Sequence, residues 1–401
     1  MPETISTRCC IAGGGPAGMM LGFLLARAGI DVTVLEKHAD FLRDFRGDTI
    51  HPSTLEVMHE LGLLDAFLAL PHQEAPTLGA VIEGRALQLV DFSRLPTRCK
   101  FIALMPQWDF LDFLATQGRS LPNFHLRMRA EAVGLLREGT RITGAVVETP
   151  EGRLEIAAEL VIAADGRHST VRDQAGLAVE DFGVPMDVLW FRLSHRAGDE
   201  TQSLGRIVSG RMMVTIDRGD YWQCAFVIPK GGNEQIRRAG LDALGAEIAR
   251  LVPRFADRLG ELKSWEDVKL LTVVVNRLPR WYLPGLLCIG DAAHAMSPVA
   301  GVGVNYAVQD AVAAANILVP RLRAGQITED DLRAVQRRRE WPMKMMQRVQ
   351  LAVQNRLIGS VLAGGKLKVP WPMTLLDRFP LLRMLPARLI GLGFRPEHIR
   401  H

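Results

Sequence analysis

The sequence predicts an α/β protein in which a parallel-sheet domain is interleaved with an antiparallel sheet and followed by a helical tail. Three observations predict it. The chain starts with a strand, a glycine turn, a helix and a second strand. Two later apolar runs end in Asp-Gly and Gly-Asp and fit strands of that first sheet, reached again after excursions. Between them lie short alternating segments bounded by turn residues, the pattern of an antiparallel sheet.

In chain order, residues 8–12 form a short apolar run that stops at Gly13-Gly14-Gly15-Pro16-Ala17-Gly18. Residues 19–28 are rich in Met, Leu and Ala and stop at Gly29, a suitable C-cap. Residues 31–36 read as a strand by β-branched content. Alternating segments fill residues 77–105 and 188–275, for example 206–214 and 221–228. Residues 154–164 end at Asp165-Gly166, and residues 286–290 end at Gly290-Asp291. From about Val308 the pattern is helical, broken late by Pro370, Pro372, Pro380 and Pro386. The expected division is a discontinuous first domain (1–75, 106–180, 276–320), a sheet domain (76–105, 181–275) and a helical segment (321–401).

Composition fits this plan. At 401 residues, with 48% hydrophobic and 23% charged, the chain is globular rather than disordered. No uninterrupted apolar run reaches the roughly 18 residues of a membrane span, and residues 1–8 lack a signal-peptide pattern. Five scattered cysteines show no metal spacing and point to a reducing, cytoplasmic setting. The net charge of +4 divides unevenly: residues 321–401 carry 16 Lys/Arg against 6 Asp/Glu, the rest 32 against 38. The tail therefore suits an anionic surface or a solvated helical face, but is too diffuse for nucleic acid.

Gly13, Gly15 and Gly18 make G-x-G-x-x-G between a strand and a helix, with Glu36 eighteen positions on at a strand end. Gly13 permits the tight turn, Gly15 lets backbone approach a pyrophosphate, and Gly18 lets helix and strand pack closely. The helix start offers N–H groups and a positive dipole end. Glu36 accepts from ribose hydroxyls and repels a 2′-phosphate, which favours FAD or NAD over NADP at this turn.

Three further segments narrow the choice. They are Ala163-Ala164-Asp165-Gly166-Arg167-His168-Ser169-Thr170-Val171-Arg172, the stretch from Cys288 through Gly290-Asp291 and Pro298 to Gly301-Val302-Gly303-Val304-Asn305, and Arg46-Gly47 with Gln107 downstream. With the first turn, over residues 8–314, this resembles the para-hydroxybenzoate-hydroxylase-like class of single-component, NAD(P)H-dependent FAD aromatic monooxygenases. The resemblance implies a Rossmann-like FAD-binding domain of the GR2 type interleaved with a substrate-binding sheet. It places Asp291 on the flavin ribityl chain and Asp165-Gly166 on FAD and NAD(P)H docking. It brings Gly301 and Gly303 against the isoalloxazine ring, Asn305 to its pyrimidine edge, Arg46 near the pyrophosphate and Gln107 on FAD. It adds Pro16, Ala17, Lys37, Val133, Gly290, Pro298 and Val304 to the cofactor set. Read from the residues alone, Asp165 and Asp291 are equally helix N-caps.

The implied reaction uses NAD(P)H and O2 and passes through a flavin C4a-hydroperoxide, hydroxylating an aromatic, phenol-like or quinone-like small molecule. A base near the flavin would help, and Asp48 and His51 are candidates, with local turn or cap hydrogen bonds as the alternative. Pro298 joins them in the catalytic set. Arg211, Met213, Tyr221, Gln223 and Phe226 are the substrate candidates on the sheet, and alternation sets Tyr221 and Gln223 opposite Phe226. No metal site is expected. A flavin halogenase would carry W-x-W-x-I-P, and the stretch from Trp222 to Pro229 does not match it. A prenyl or quinone reductase, or a non-catalytic flavoprotein, are further alternatives. The Leu/Arg-rich tail suggests peripheral membrane contact, packing on the first domain, or a homodimer interface.

Overall fold

The computed structural model describes residues 3–42, 49–199, 204–364 and 369–400. Its first part runs β1 (Glu3–Ala12), α1 (Pro16–Arg27), β2 (Val32–Glu36), β3 (Thr49–Ile50), α2 (Pro52–Glu60), β4 (Ile102–Leu104), α3 (Gln107–Arg119), β5 (Phe124–Met128) and β6 (Gly152–Ala163). The second part holds β7 (Met186–Ser194), β8 (Arg211–Asp217), β9 (Tyr221–Pro229) and α4 (Leu241–Leu251). The last part holds β10 (Leu286–Cys288), α5 (Gly303–Ala324), α6 (Glu329–Val353), α7 (Trp371–Arg378) and α8 (Met384–Gly391).

Five strands form a parallel core in the order β10-β6-β1-β2-β5. Helices cover its faces, so β2 is buried at every position and reads as a continuous apolar run. Helix α1 lies close on this sheet: a Cβ at Gly22 would sit 2.5 Å from the Val34 side chain. Helix α5 packs beside α1. The segment Val299–Ala324 is apolar and long enough to span a bilayer, yet 83% of its apolar window is buried within the protein.

A second sheet runs Lys269–Leu271, β7, β9, β8, Leu204–Val208, Thr77–Ile82 and Arg85–Asp91. It is antiparallel except where Leu204–Val208 runs parallel to Thr77–Ile82, so it is mixed rather than purely antiparallel. The alternating segment 206–214 is two strands split at a turn, where Gly210 takes φ +78°. Residues 77–91 join this sheet, β5 and β6 return to the first, and β10 returns again after the second visit. All five cysteines are buried and unpaired, and burial pushes the Cys10 thiol up to about 12.

Candidate active site

The glycine turn closes on backbone. The Gly13 N–H donates to Leu35 O at 2.9 Å, and Ala164 N–H donates to Ala12 O at 2.8 Å, so three strand ends meet there. Gly13 takes φ +108°, and a Cβ on it would stand 2.3 Å from Ala164 O. A Cβ on Gly18 would stand 2.0 Å from Gly13 O. Gly15 is different: nothing lies within 4 Å of its Cβ position, so its outer side is an open cradle. Gly15 caps α1 without a side-chain hydrogen bond, Pro16 occupies the first turn, and that turn holds no acidic residue. The Ala17 and Gly18 N–H groups therefore have no intrahelical acceptor and sit at the positive end of the helix.

Glu36, nearly buried, reaches this turn. A Cβ on Gly14 would lie 3.0 Å from Glu36 Oε2, while Oε1 accepts from His38 N–H at 2.9 Å. Lys37 points outward and pairs with Glu131 at 3.5 Å. Val133 is half-buried on the strand that follows Ala130, whose N–H donates to Glu36 O at 2.9 Å.

The ends of β6 and β10 carry the next residues. Gly290 takes φ +59° and is wedged between the two helices: its Cβ position is 3.0 Å from Ala17 Cβ and 3.5 Å from Ala307 Cβ. Asp291 is partly exposed and lies 3.6 Å from the Arg167 guanidinium. Asp165 accepts from the Ser169 hydroxyl and from Val171 N–H at 3.1 Å, and Ser169 in turn caps the helix Thr170–Gln174. The N-cap is thus Ser169 and not Asp165, which supports the cap from four residues before it, and burial raises the Asp165 pKa. Gly166, at φ +88°, has open space around its Cβ position.

The start of α5 repeats the open arrangement. Val302 caps it without a side-chain hydrogen bond, and no acidic residue lies in its first turn. The N–H groups of Gly303, Val304 and Asn305 have no intrahelical acceptor, and the Cβ position of Gly303 is open. Pro298 is half-buried before the turn Val299–Gly301, and Gly301 turns at φ +63° against the Thr49 side chain. Thr49 Oγ1 donates to Gly301 O at 2.8 Å. The Asn305 amide is committed to protein: Oδ1 accepts from His51 N–H at 2.8 Å and from Thr54 Oγ1 at 2.7 Å, and Nδ2 donates to Thr49 O at 3.2 Å. Its side chain ties β3 and α2 to the loop rather than pointing at a ring edge. Gln107, half-buried, opens α3 three residues beyond β4, which pairs with β3.

His51 is fully buried, with one ring nitrogen committed and Nε2 without a hydrogen-bond partner among the described residues. Its Nδ1 lies 2.8 Å from Ile390 O, an acceptor, so Nδ1 carries the proton. Burial lowers its pKa to about 4, leaving the ring neutral and weakly basic. Arg46 and Asp48 lie outside the described residues.

The sheet candidates separate by face. Leu189, Phe191, Met213, Trp222, Cys224 and Phe226 pack against Leu244, Ile248 and Leu251 of α4. Met213 and Phe226 are therefore core, and Arg211 is held in an ion pair with Glu247 of α4. Those three substrate assignments are withdrawn, because helix α4 occupies the face they point to. Tyr221 and Gln223 point the other way, with Val214, Ala225 and Val227. On that face Met212 and Val227 pack toward Val299 of the loop before α5, and Trp190 packs beside Val214 and Ala225. Gln223 Oε1 accepts from Arg218 Nε at 3.1 Å, and the Arg192 guanidinium lies 4.8 Å over the Tyr221 ring.

Several further residues brace this loop. His294 is paired with Asp310 at 2.6 Å, Asp310 with Arg339 at 3.0 Å, and Gly290 N–H donates to Asp310 at 3.1 Å. Burial pushes the Asp310 carboxyl upward, but His294 and Arg339 outweigh it and hold it below the usual range. Along α6, Gln336 bonds Trp281 N–H and Pro279 O, Gln347 bonds Asn276 O, and Gln350 bonds Ser297 O at 2.9 Å and Val299 O at 2.8 Å. Their separations of eleven and three put them on one helical stripe, a signal present in the sequence but easily read as a solvated face.

Two uncapped helix starts, each with an open glycine, flank Gly290, and a carboxylate stands at the first. This donor set fits a dinucleotide with its phosphates at α1, its ribose at Glu36 and an anionic ring edge at α5. The class so defined is a dinucleotide-binding α/β protein with a second, mixed sheet. The chain belongs to the FAD binding domain family, whose model matches residues 6–349. It is 32% identical over 385 residues to 6-methylpretetramide 4-monooxygenase of Streptomyces rimosus, covering 96% of this chain and 92% of that one. Its fold matches p-nitrophenol 4-monooxygenase PnpA of Pseudomonas putida DLL-E4 (TM-score 0.79, 19% identity, 98% and 100% of the two chains). It also matches the flavin-dependent brominase Bmp2 (TM-score 0.77, 16% identity, 96% and 94%), so fold alone does not select the chemistry. The family and the sequence relative do: this is an FAD-dependent monooxygenase enzyme.

Proposed function

We propose that the enzyme uses NAD(P)H and O2 to hydroxylate an aromatic, phenol-like or quinone-like small molecule in the cytoplasm. The observation that carries this reading is the open start of α5, facing the same loop that the front of the second sheet packs against. Bound FAD supplies the oxygen-activating chemistry. The Ala17 and Gly18 N–H groups bind its pyrophosphate, Glu36 its ribose and Asp291 its ribityl chain. The Gly303, Val304 and Asn305 N–H groups stabilise negative charge on the ring edge. Pro298 and Val299 border the reacting centre. Trp190, Met212, Val214, Tyr221 and Gln223 position the substrate and exclude water, which keeps oxygen transfer coupled. Asp48, one residue before Thr49, is kept as the base for the substrate proton. The discontinuous division at 1–75, 106–180 and 276–320 follows the same reading, as does peripheral membrane contact by the tail.

Oxygen uptake by the FAD-loaded enzyme tests the proposal, with NADH and NADPH, across a panel of phenols and quinones. The expected result is uptake stimulated by substrate, with one oxygen atom in the product. Substrate-dependent NAD(P)H oxidation without oxygen uptake would instead identify a reductase.

A further inference from the structure

Nine large hydrophobic side chains are exposed among the described residues, and six lie within residues 371–385: Trp371, Leu375, Phe379, Leu381, Met384 and Leu385. Their concentration in one short segment marks a contact surface rather than scattered exposure. Trp371 and Leu375 are four positions apart and share one face of α7, and Phe379 follows, exposed, at its C-cap. Leu381 and Leu385 continue this exposed surface into α8.

The opposite side of this segment is already packed. Met373 joins a cluster with Ile82, Leu87 and Ile207, and Ala387 joins another with Phe92 and Leu95. The charges divide in the same way. Asp377, the one acidic residue of residues 371–388, turns inward to pair with Arg85 at 3.2 Å and to accept from Gln88 N–H at 3.1 Å. Arg383 also turns inward, donating to Gln88 Oε1 and to the Leu376 and Asp377 carbonyls. Arg378 and Arg388 remain exposed beside the apolar stripe, and Arg378 lies 5.8 Å over the Phe379 ring. The outer surface is therefore aromatic, aliphatic and cationic.

We infer that residues 371–388 dock the enzyme on an anionic lipid surface, with Trp371, Leu375, Phe379, Leu381 and Leu385 entering the interface and Arg378 and Arg388 meeting lipid phosphates. Apolar side chains flanked by arginines suit that boundary, because the stems bury while the charges stay among headgroups. Charge argues against a second copy of the chain. A two-fold contact through this patch would bring two net-cationic surfaces together, which opposes association. The segment is pinned to Arg85 and Gln88 on the edge strand of the second sheet, so docking would bring that sheet to the lipid boundary. This deepens the peripheral-contact part of the proposed function and is independent of the oxygen chemistry.

The test is flotation of the full-length FAD-loaded enzyme with vesicles of phosphatidylcholine alone and of phosphatidylcholine mixed with phosphatidylglycerol. The wild type is expected to float with the mixed vesicles, less so in high salt. Phe379→Glu/Leu385→Glu should lower that fraction by about tenfold. Retained FAD and oxygen uptake on a soluble substrate show that this variant is folded. Arg378→Gln/Arg388→Gln should weaken binding to the mixed vesicles only. Sedimentation of wild type and variant in the absence of lipid completes the set. Wild type that floats with neither vesicle, or variants that float equally well, overturn the inference. So does a wild-type dimer that the Phe379→Glu/Leu385→Glu variant dissolves, which would assign the patch to a second copy. Loss of docking with intact oxygen uptake leaves the hydroxylase reading standing; the reverse leaves docking standing.

Discussion

The starts of α1 and α5 do the same electrostatic task by different means. Each presents uncapped N–H groups and an open glycine. At α1 the shape is enforced by backbone contact alone, since Gly13 and Gly18 stand where a Cβ would overlap a carbonyl oxygen. At α5 it is enforced by side chains: Asn305 and Asp310 of the helix itself, joined by Thr49, Arg339 and Gln350 from remote segments. A steric requirement can be met by one residue type, whereas a polar brace can be supplied from anywhere in the chain. The first start therefore should fail all at once, and the second by degrees.

Gly18→Ala attacks the first directly and should cost more than about 4 kcal/mol, with loss of retained FAD after purification. Gly15→Ala sharpens the contrast. Its Cβ enters open space, so apo stability should stay within about 0.5 kcal/mol while FAD affinity falls at least about tenfold in a titration. Equal loss of stability in both variants would show that the cradle is structural packing.

Asp310→Ala removes the charge shared by His294, Arg339 and Gly290, and denaturant unfolding should show a loss of about 3–5 kcal/mol. His51 adds a pH dependence. In the folded chain it stays neutral down to about 4, against 6.5 for the free side chain. Between those values the unfolded chain binds more protons, so stability falls as pH drops through that window and the effect is absent above it. The loss approaches about 3 kcal/mol at the acid end, and His51→Gln should flatten the curve by that amount. An unchanged slope would mean that another group carries it.

Gln350→Ala should cost about 1–3 kcal/mol by unpairing Ser297 and Val299, and should shift the absorption of bound flavin with little change in the α1 end. The smallest effect is expected on the sheet. Met213→Leu should cost less than about 1.5 kcal/mol and leave KM unchanged, whereas Val214→Phe should raise KM with stability nearly retained. Equal KM values would place the substrate away from that face.

Much of this was legible along the chain. The turn from Gly13 to Gly18, Glu36, and the two strand ends at Asp165 and Gly290 follow from rules that act within a few residues. The second sheet was legible as alternation, but alternation defines two faces without saying which one a helix will cover. Arg211, Met213 and Phe226 point at α4, while Trp190, Met212 and Val214 share the face of Gln223. Nothing local to His51 shows that Ile390 O, 339 positions away, would accept a hydrogen bond from its Nδ1.

The sequence by itself determined the dinucleotide turn, the return of the chain to one parallel sheet and the acidic ribose partner, because glycine sterics and strand periodicity are local. The tertiary structure decided which polar residues are buried, which sheet face α4 covers and where the tail's apolar stripe points. Those depend on pairings across hundreds of residues, and hydrogen-bond partners and covering helices leave no mark on their own neighbours in the chain.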